Sequence, residues 1–175
     1  MKFWGLCWLL LLSSLSFAEE VNLSQYRLGA GDQIKITVFG EADLTITTKL
    51  PHLGVINYPF LGDISAVGLT ASELEATIYK GLKGDYLVEP SVSVSIIEYR
   101  PFFIDGEVKK PGGYPYQPAL SIDKAAAVAG GYTERASKTK IVIRRDVNGQ
   151  QRQINALSTD IVQPGDIITV QQSFF

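Results

Sequence analysis

The sequence predicts an α+β protein built from two compact units, each a small mixed sheet with one short packed helix. Three observations carry this. Apolar and polar residues alternate in several short runs, the period of a half-buried strand. Two stretches show helical spacing behind a start signal, one in each half of the chain. Arg100-Pro101 falls between two apolar strand patterns and marks a boundary with almost no linker.

The opening residues stand outside this fold. Lys2 gives a positive start, Phe3 to Leu12 is an apolar run, and Ser16-Phe17-Ala18 places small residues at −3 and −1. This is the pattern of a secretory signal peptide, residues 1–18, cleaved between Ala18 and Glu19. The apolar run is short for a membrane span. Cys7, the single cysteine, lies inside the signal and has no small residue before it, so neither a lipid anchor nor a disulfide is expected. Removing 18 of the 175 residues takes Lys2 with them and leaves 157, so the formal balance moves from −2 to −3. That balance argues against general nucleic-acid binding, which needs a basic footprint.

The first unit is expected over residues 26–99. Ile34, Ile36 and Val38 alternate with Gln33, Lys35 and Thr37, a half-buried strand. Leu44, Ile46 and Leu50 suggest a second. Pro51-His52-Leu53-Gly54 reads as a turn before Val55 to Tyr58. Thr70-Ala71-Ser72-Glu73 is a capping box, and Leu74, Ile78 and Leu82 then repeat on one helix face. Gly81 and Gly84 are read as its end. Val92, Val94 and Ile96 alternate with serines, a strand with one wet face.

The second unit is expected over residues 100–172. Phe102-Phe103-Ile104 opens it, with one of the two phenylalanines in the core. Gly106-Glu107-Val108-Lys109-Lys110-Pro111-Gly112 reads as a strand running into a tight turn, and Pro111, Pro115 and Pro118 keep the following loop out of the sheet. Ser121 caps a helix carrying Ile122, Ala125, Ala126 and Ala129, which Gly130 or Gly131 closes in the left-handed conformation. Ile141 and Ile143 mark a strand, Asn148-Gly149 a hairpin turn, Ile154 the return, and Ile168 and Val170 the last strand.

Chemistry is sparse. His52 is the single histidine, and no HxxxH or cysteine cluster offers a metal site. No Gly-x-Ser-x-Gly elbow is present. Asp105, Glu107, Asp123 and Glu134 could supply the two carboxylates of a glycosidase, but sequence does not place any two across one bond. No catalytic residue, cofactor or metal is therefore assigned. Gly31-Asp32 and Gly165-Asp166 each precede a strand. They read as turn aspartates bonded to nearby amides, with a paired acidic site as the sharper alternative. Lys138, Lys140, Arg144 and Arg145 form a basic run, either a solvated strand face or a seat for acidic glycan or phospholipid head groups. Tyr114 and Tyr116 are expected to be exposed. With Lys109 and Lys110 they are the candidate glycan or partner contacts, since exposed aromatics serve sugar surfaces and protein interfaces alike.

The order of these motifs resembles the outer-membrane polysaccharide export protein family. Tyr26-Arg27-Leu28-Gly29-Ala30-Gly31-Asp32, Pro59-Phe60-Leu61-Gly62, Gly68-Leu69-Thr70, Glu73-Leu74, Tyr86-Leu87, Pro90 and Val92-Ser93-Val94 are similar to its polysaccharide export domain. Gly106 to Gly112, Tyr114-Pro115-Tyr116, Ser121 and Ala129-Gly130-Gly131 are similar to its soluble-ligand-binding β-grasp module. The resemblance implies a non-enzymatic periplasmic component of capsular or exopolysaccharide export. Its implied partners are the polysaccharide, an outer-membrane barrel, an inner-membrane copolymerase and further copies of itself. A single β-grasp module and an ending at Gln171-Gln172-Ser173-Phe174-Phe175 point to a short form working with a separate barrel. Terminal Phe175 resembles the ending of barrel proteins, but one strand cannot close a barrel. The alternative is a stand-alone periplasmic carbohydrate-binding adaptor.

Overall fold

The computed structural model describes residues 25–147 and 149–173. The expected signal segment with its expected Ala18–Glu19 cleavage point, Cys7, Asn148 and Phe175 lie outside the described residues.

In the first unit, β1 (Gln33–Val38) buries Ile34, Ile36 and Val38 on one side, as period two requires. It is the central strand, flanked by β2 (Ile46–Lys49) and β5 (Val92–Glu98), both antiparallel to it. Leu44 precedes β2 in a short 3-10 turn, Ala42–Leu44. β3 (Val55–Tyr58) and β4 (Gly62–Ser65) form a separate antiparallel hairpin. The sequence reading missed β4, because Ile64 is its one apolar residue and no alternation shows. The hairpin is tied to the sheet by the Tyr58 hydroxyl, which donates to the Leu44 carbonyl at 2.7 Å.

Helix α1 (Ala71–Leu82) starts with both halves of the capping box formed. The Glu73 amide donates to Thr70 Oγ1 at 3.2 Å, and the Thr70 amide donates to Glu73 Oε2 at 2.8 Å. Leu74, Ile78 and Leu82 are fully buried against the sheet and hairpin. Each contributes roughly 1.5–3 kcal/mol by leaving water. Gly81 does not end the helix as the sequence suggested. It lies within the last turn, where a Cβ would come within 2.8 Å of Leu61 Cδ1. Glycine is there for close packing; the chain leaves the helix at Lys83, and Gly84 follows at φ +93°.

The second unit is a five-stranded sheet. Its strands are β6 (Phe102–Gly106), β7 (Gly112–Tyr114), β8 (Ala136–Val147), β9 (Gln150–Ala156) and β10 (Ile167–Gln172), in the order β7-β6-β10-β8-β9. The mixed pairing of the molecule is here: β10 runs parallel to β6 and antiparallel to β8. Gly112–Tyr114 does join the sheet, contrary to the proline argument, as a three-residue edge strand on β6. Pro111 and Pro115 bound it and confine it to the edge, where proline is tolerated.

Helix α2 (Ile122–Val128) is capped by Ser121, whose Oγ accepts the Lys124 amide at 3.3 Å. Ile122, Ala125 and Ala126 are buried in one cluster with Phe102, Ile104, Ile141, Ile143, Ile168 and Val170. Through this cluster the helix packs over one face of the sheet. Each unit thus has its own apolar core.

Two substitutions test this account. Thr70→Ala removes the cap acceptor and should cost about 1 kcal/mol. Ile78→Ala leaves a cavity under α1 and should cost about 2–5 kcal/mol. Urea denaturation followed by circular dichroism measures both, and equal costs for the two would contradict the packing described.

Candidate functional site

The two Gly-Asp pairs are the best-built polar features of the molecule. Asp32 and Asp166 are fully buried, and each accepts the amide three residues before it: Gly29 to Asp32 Oδ2 and Gln163 to Asp166 Oδ2, both at 2.7 Å. The turn reading therefore describes both. They do not form a paired acidic site, because each has its own arginine. Arg145 grips Asp166 with two bonds, Nε to Oδ1 at 2.8 Å and Nη2 to Oδ2 at 2.7 Å. Asp32 receives the Arg100 amide on Oδ1 at 2.7 Å, with Arg100 Nη1 at 3.4 Å from Oδ2.

Arg100 also ties the units together. Its Nη1 donates to the Tyr26 hydroxyl at 3.1 Å in the first unit, and its Nε donates to the Pro164 carbonyl at 3.1 Å in the second. Three glycines make the space. A Cβ on Gly29 would fall 1.6 Å from Arg100 Nη1, and one on Gly165 would fall 2.7 Å from Nε. At Gly31 the neighbour is the Arg100 Cβ at 3.3 Å. The sequence marked these residues only as turn glycines and a boundary arginine, since a contact across the chain leaves no local pattern.

An aromatic ladder runs beside this tie. Tyr26 meets Tyr99 edge-on at 5.1 Å between centroids, and Tyr99 meets Tyr116 edge-on at 5.4 Å. The Tyr26 hydroxyl donates to Asp32 Oδ2 at 2.7 Å. Burial first, then the Asp32 carboxylate, push its pKa well above the ordinary phenol range, so it stays a donor. Burial raises Tyr99 and Tyr116 as well. Tyr116 is only 7% exposed, which corrects the expectation of a surface residue. Its ring completes the core on the second unit's side of the junction.

The other three candidate contacts lie close together, Lys109 and Lys110 on the turn and Tyr114 at the end of β7. The Lys109 amide donates to the Gly131 carbonyl at 2.9 Å and the Lys110 amide to the Ala129 carbonyl at 2.8 Å. The lysine–proline–glycine turn and the glycine pair, far apart in sequence, thus brace each other. Lys109 and Lys110 face solvent; Tyr114 is half-buried, with its hydroxyl donating to the Lys110 carbonyl at 2.6 Å. Of the two phenylalanines, Phe102 is core and Phe103 is 47% exposed.

The basic run is dispersed. Arg145 serves Asp166, Lys138 sits over the Tyr132 ring at 5.3 Å, and Arg144 and Lys140 are exposed on the sheet. The four carboxylates considered for glycoside cleavage also separate in role. Glu107 accepts the Thr133 hydroxyl and Asp123 accepts the Tyr132 hydroxyl at 3.0 Å. Asp105 Oδ1 is buried without a hydrogen-bond partner among the described residues. His52 is exposed, and no cluster of three metal-ligating side chains occurs among the described residues. In the first unit an aromatic pair faces out: Phe60, 65% exposed at φ +63°, stacks on Tyr86 at 5.0 Å.

Arg100→Ala should leave the buried Asp32 carboxylate without its cation and cost about 3–5 kcal/mol, more than any surface ion pair. Guanidinium denaturation of the variant checks this, and a loss below about 1 kcal/mol would contradict the role given to the tie. Gly130→Val places a β-branched residue at φ +82°, with its Cβ 3.4 Å from that of Lys109. It should lower the melting temperature by several degrees, from a penalty on the order of 1 kcal/mol or more.

Comparison with known proteins fits this architecture. Residues 20–97 match the family model described as polysaccharide biosynthesis/export protein, and residues 101–155 match the SLBB domain. The chain is 33% identical over 178 residues to the exopolysaccharide production protein ExoF of Rhizobium meliloti (strain 1021), covering 89% of this chain and 38% of that protein. It is 25% identical to the EPS I polysaccharide export outer membrane protein EpsA of Ralstonia nicotianae (strain ATCC BAA-1114 / GMI1000), covering 84% and 47% respectively. Against the polysialic acid transport protein KpsD of Escherichia coli it is 28% identical, covering 69% and 22%. The chain spans less than half the length of these curated relatives. With an export domain followed directly by an SLBB domain, and with relatives of this kind along most of its length, the chain belongs to the polysaccharide export protein family.

Proposed function

We propose that this protein is a non-enzymatic periplasmic component of capsular or exopolysaccharide export across the outer membrane. In this reading it self-associates, receives polymer from an inner-membrane copolymerase and works with a separate outer-membrane barrel. The observation that supports it most is the fixed pairing of the two family domains. Arg100 and the tyrosine ladder join them without a linker, so they present their surfaces as one body. The relatives named for exopolysaccharide production, outer-membrane export and polysialic acid transport support the cargo class and the route.

A second reading, a stand-alone carbohydrate-binding adaptor, draws on the exposed Phe103 on the sheet of the second unit. The two readings differ in assembly. Sedimentation of the purified chain at micromolar concentration should give a multi-subunit species under the export reading. A strict monomer with glycan affinity favours the adaptor.

Deleting the gene and measuring polymer inside and outside the cell tests the role directly. Polymer should be retained in the deletion strain, and complementation should release it. Unchanged release from the deletion strain would refute the export role. Intact mass of the periplasmic protein should begin at Glu19 without an acyl group. An acylated mass would overturn the processing assigned here.

A further inference from the structure

Helix α2 covers one face of the five-stranded sheet and leaves the other open. Period two puts Phe103 and Asp105 of β6, Ile167 and Thr169 of β10, Val142 and Arg144 of β8, and Gln153 and Asn155 of β9 on that open face. Register aligns them into two rows across the strands. One row runs Phe103, Ile167, Arg144, Gln153; the other runs Asp105, Thr169, Val142, Asn155. Neighbours within a row are about 4.8 Å apart by strand spacing.

We infer that this open face is a glycan-binding platform, with Phe103 as the stacking ring and Asp105, Arg144 and Asn155 as hydroxyl partners. The inference rests on the export reading and gives it a contact surface. Three observations carry it. First, Phe103 is held as an exposed platform: a Cβ on its partner Gly113 would fall 2.8 Å from the ring, so glycine lets the ring lie over the edge strand. An exposed ring offers a flat apolar surface to the C–H face of a sugar.

Second, Asp105 is half-buried on this face, and its buried Oδ1 accepts no hydrogen bond among the described residues. Its neighbour on one side is the Thr169 strand, and on the other the edge strand is preceded by Pro111, which has no N–H to give. Such an oxygen is costly to leave unmade and calls for a donor from outside the fold. A sugar hydroxyl supplies one once the side chains that close over Oδ1 move aside. Third, the far end of the face holds a shallow depression of about 280 Å³, lined by Thr139, Lys140, Asn155 and Gln171 over Ile141 and Val142. Beside the Lys140 ammonium its polar side chains are two amides and a hydroxyl, which both donate and accept, as hydroxyl-rich polymer requires.

Charge separates this ligand from the alternatives. Arg144 and Lys140 are balanced in part by Asp105 on the same face, so it is not the basic stripe that a nucleic acid or an anionic membrane requires. A protein partner of interface size would prefer an apolar, charge-depleted centre. Here Arg144 stands next to Ile167 in the middle of the row.

The test is an NMR titration of the full chain with the exopolysaccharide purified from the encoding strain, with dextran as a second probe. Backbone signals of Phe103, Asp105, Val142, Asn155 and Thr169 should move together. Asp105→Asn, Arg144→Gln and Phe103→Ala should each weaken binding of that polysaccharide by about tenfold or more, the loss expected of one charged or aromatic contact. Asp105→Asn and Arg144→Gln should keep the wild-type melting temperature, which separates contact from folding even where Phe103→Ala is unstable. Shifts confined to the Lys109–Tyr114 loop would overturn the proposal, as would no shift with either probe or unweakened binding by Asp105→Asn and Arg144→Gln. A rise in particle mass without sugar that Arg144→Gln abolishes would also overturn it, because the face would then be a protein interface. The same variants expressed in the deletion strain keep the two readings apart. If deletion blocks export while the variants bind and export normally, this surface is wrong and the export role stands. If deletion leaves export intact, the role itself fails.

Discussion

The ion pair between Arg100 and buried Asp32 is the constraint on which the rest of the arrangement depends. Asp32 is fully buried at the entrance to β1, so its charge must be answered by fixed donors. Tyr26, Gly29 and Arg100 supply them. Because Arg100 lies between β5 and β6 and also donates to Pro164, the solution to a local burial problem sets how the two cores meet. Buried pairs of this kind contribute little net stability compared with apolar packing. Their value here is geometric: an alternative docking of the units would strand a charge.

Asp166 repeats the device inside the second unit, with Arg145 as its partner. The second unit therefore has both an internal clamp, at the start of β10, and an external one, through the neighbouring carbonyl of Pro164. Both converge on the same turn. The sheet is held from that turn outward, and its open face is correspondingly well defined.

Much of the fold was legible in the sequence where one residue's environment repeats at a fixed period. Ile34, Ile36 and Val38 give β1, and Leu74, Ile78 and Leu82 with the Thr70–Glu73 box give α1, because local chemistry and tertiary packing agree there. Elements decided by a distant partner were not legible. Gly81 looks like a helix stop until Leu61 is placed against it, and Tyr116 looks like a loop aromatic until Tyr99 covers it. The edge strand Gly112–Tyr114 is too short to show alternation. At the candidate site, sequence reasoning found the loop of Lys109, Lys110 and Tyr114 but missed Arg100 and the face carrying Phe103 and Asp105. The one hint of the first was the repeated Gly-Asp pair; the second becomes visible only when register aligns four strands.

The position of β10 has a consequence for how such a chain is made. It is the last strand in sequence yet lies in the middle of its sheet, pairing Ile167 with Phe103 on one side and Arg144 on the other. Until those residues emerge, β6 and β8 have no common neighbour, and the second unit cannot close. Contacts so distant along the chain make folding slow. The parallel insertion that completes the sheet thus makes closure of the second unit wait on its last strand.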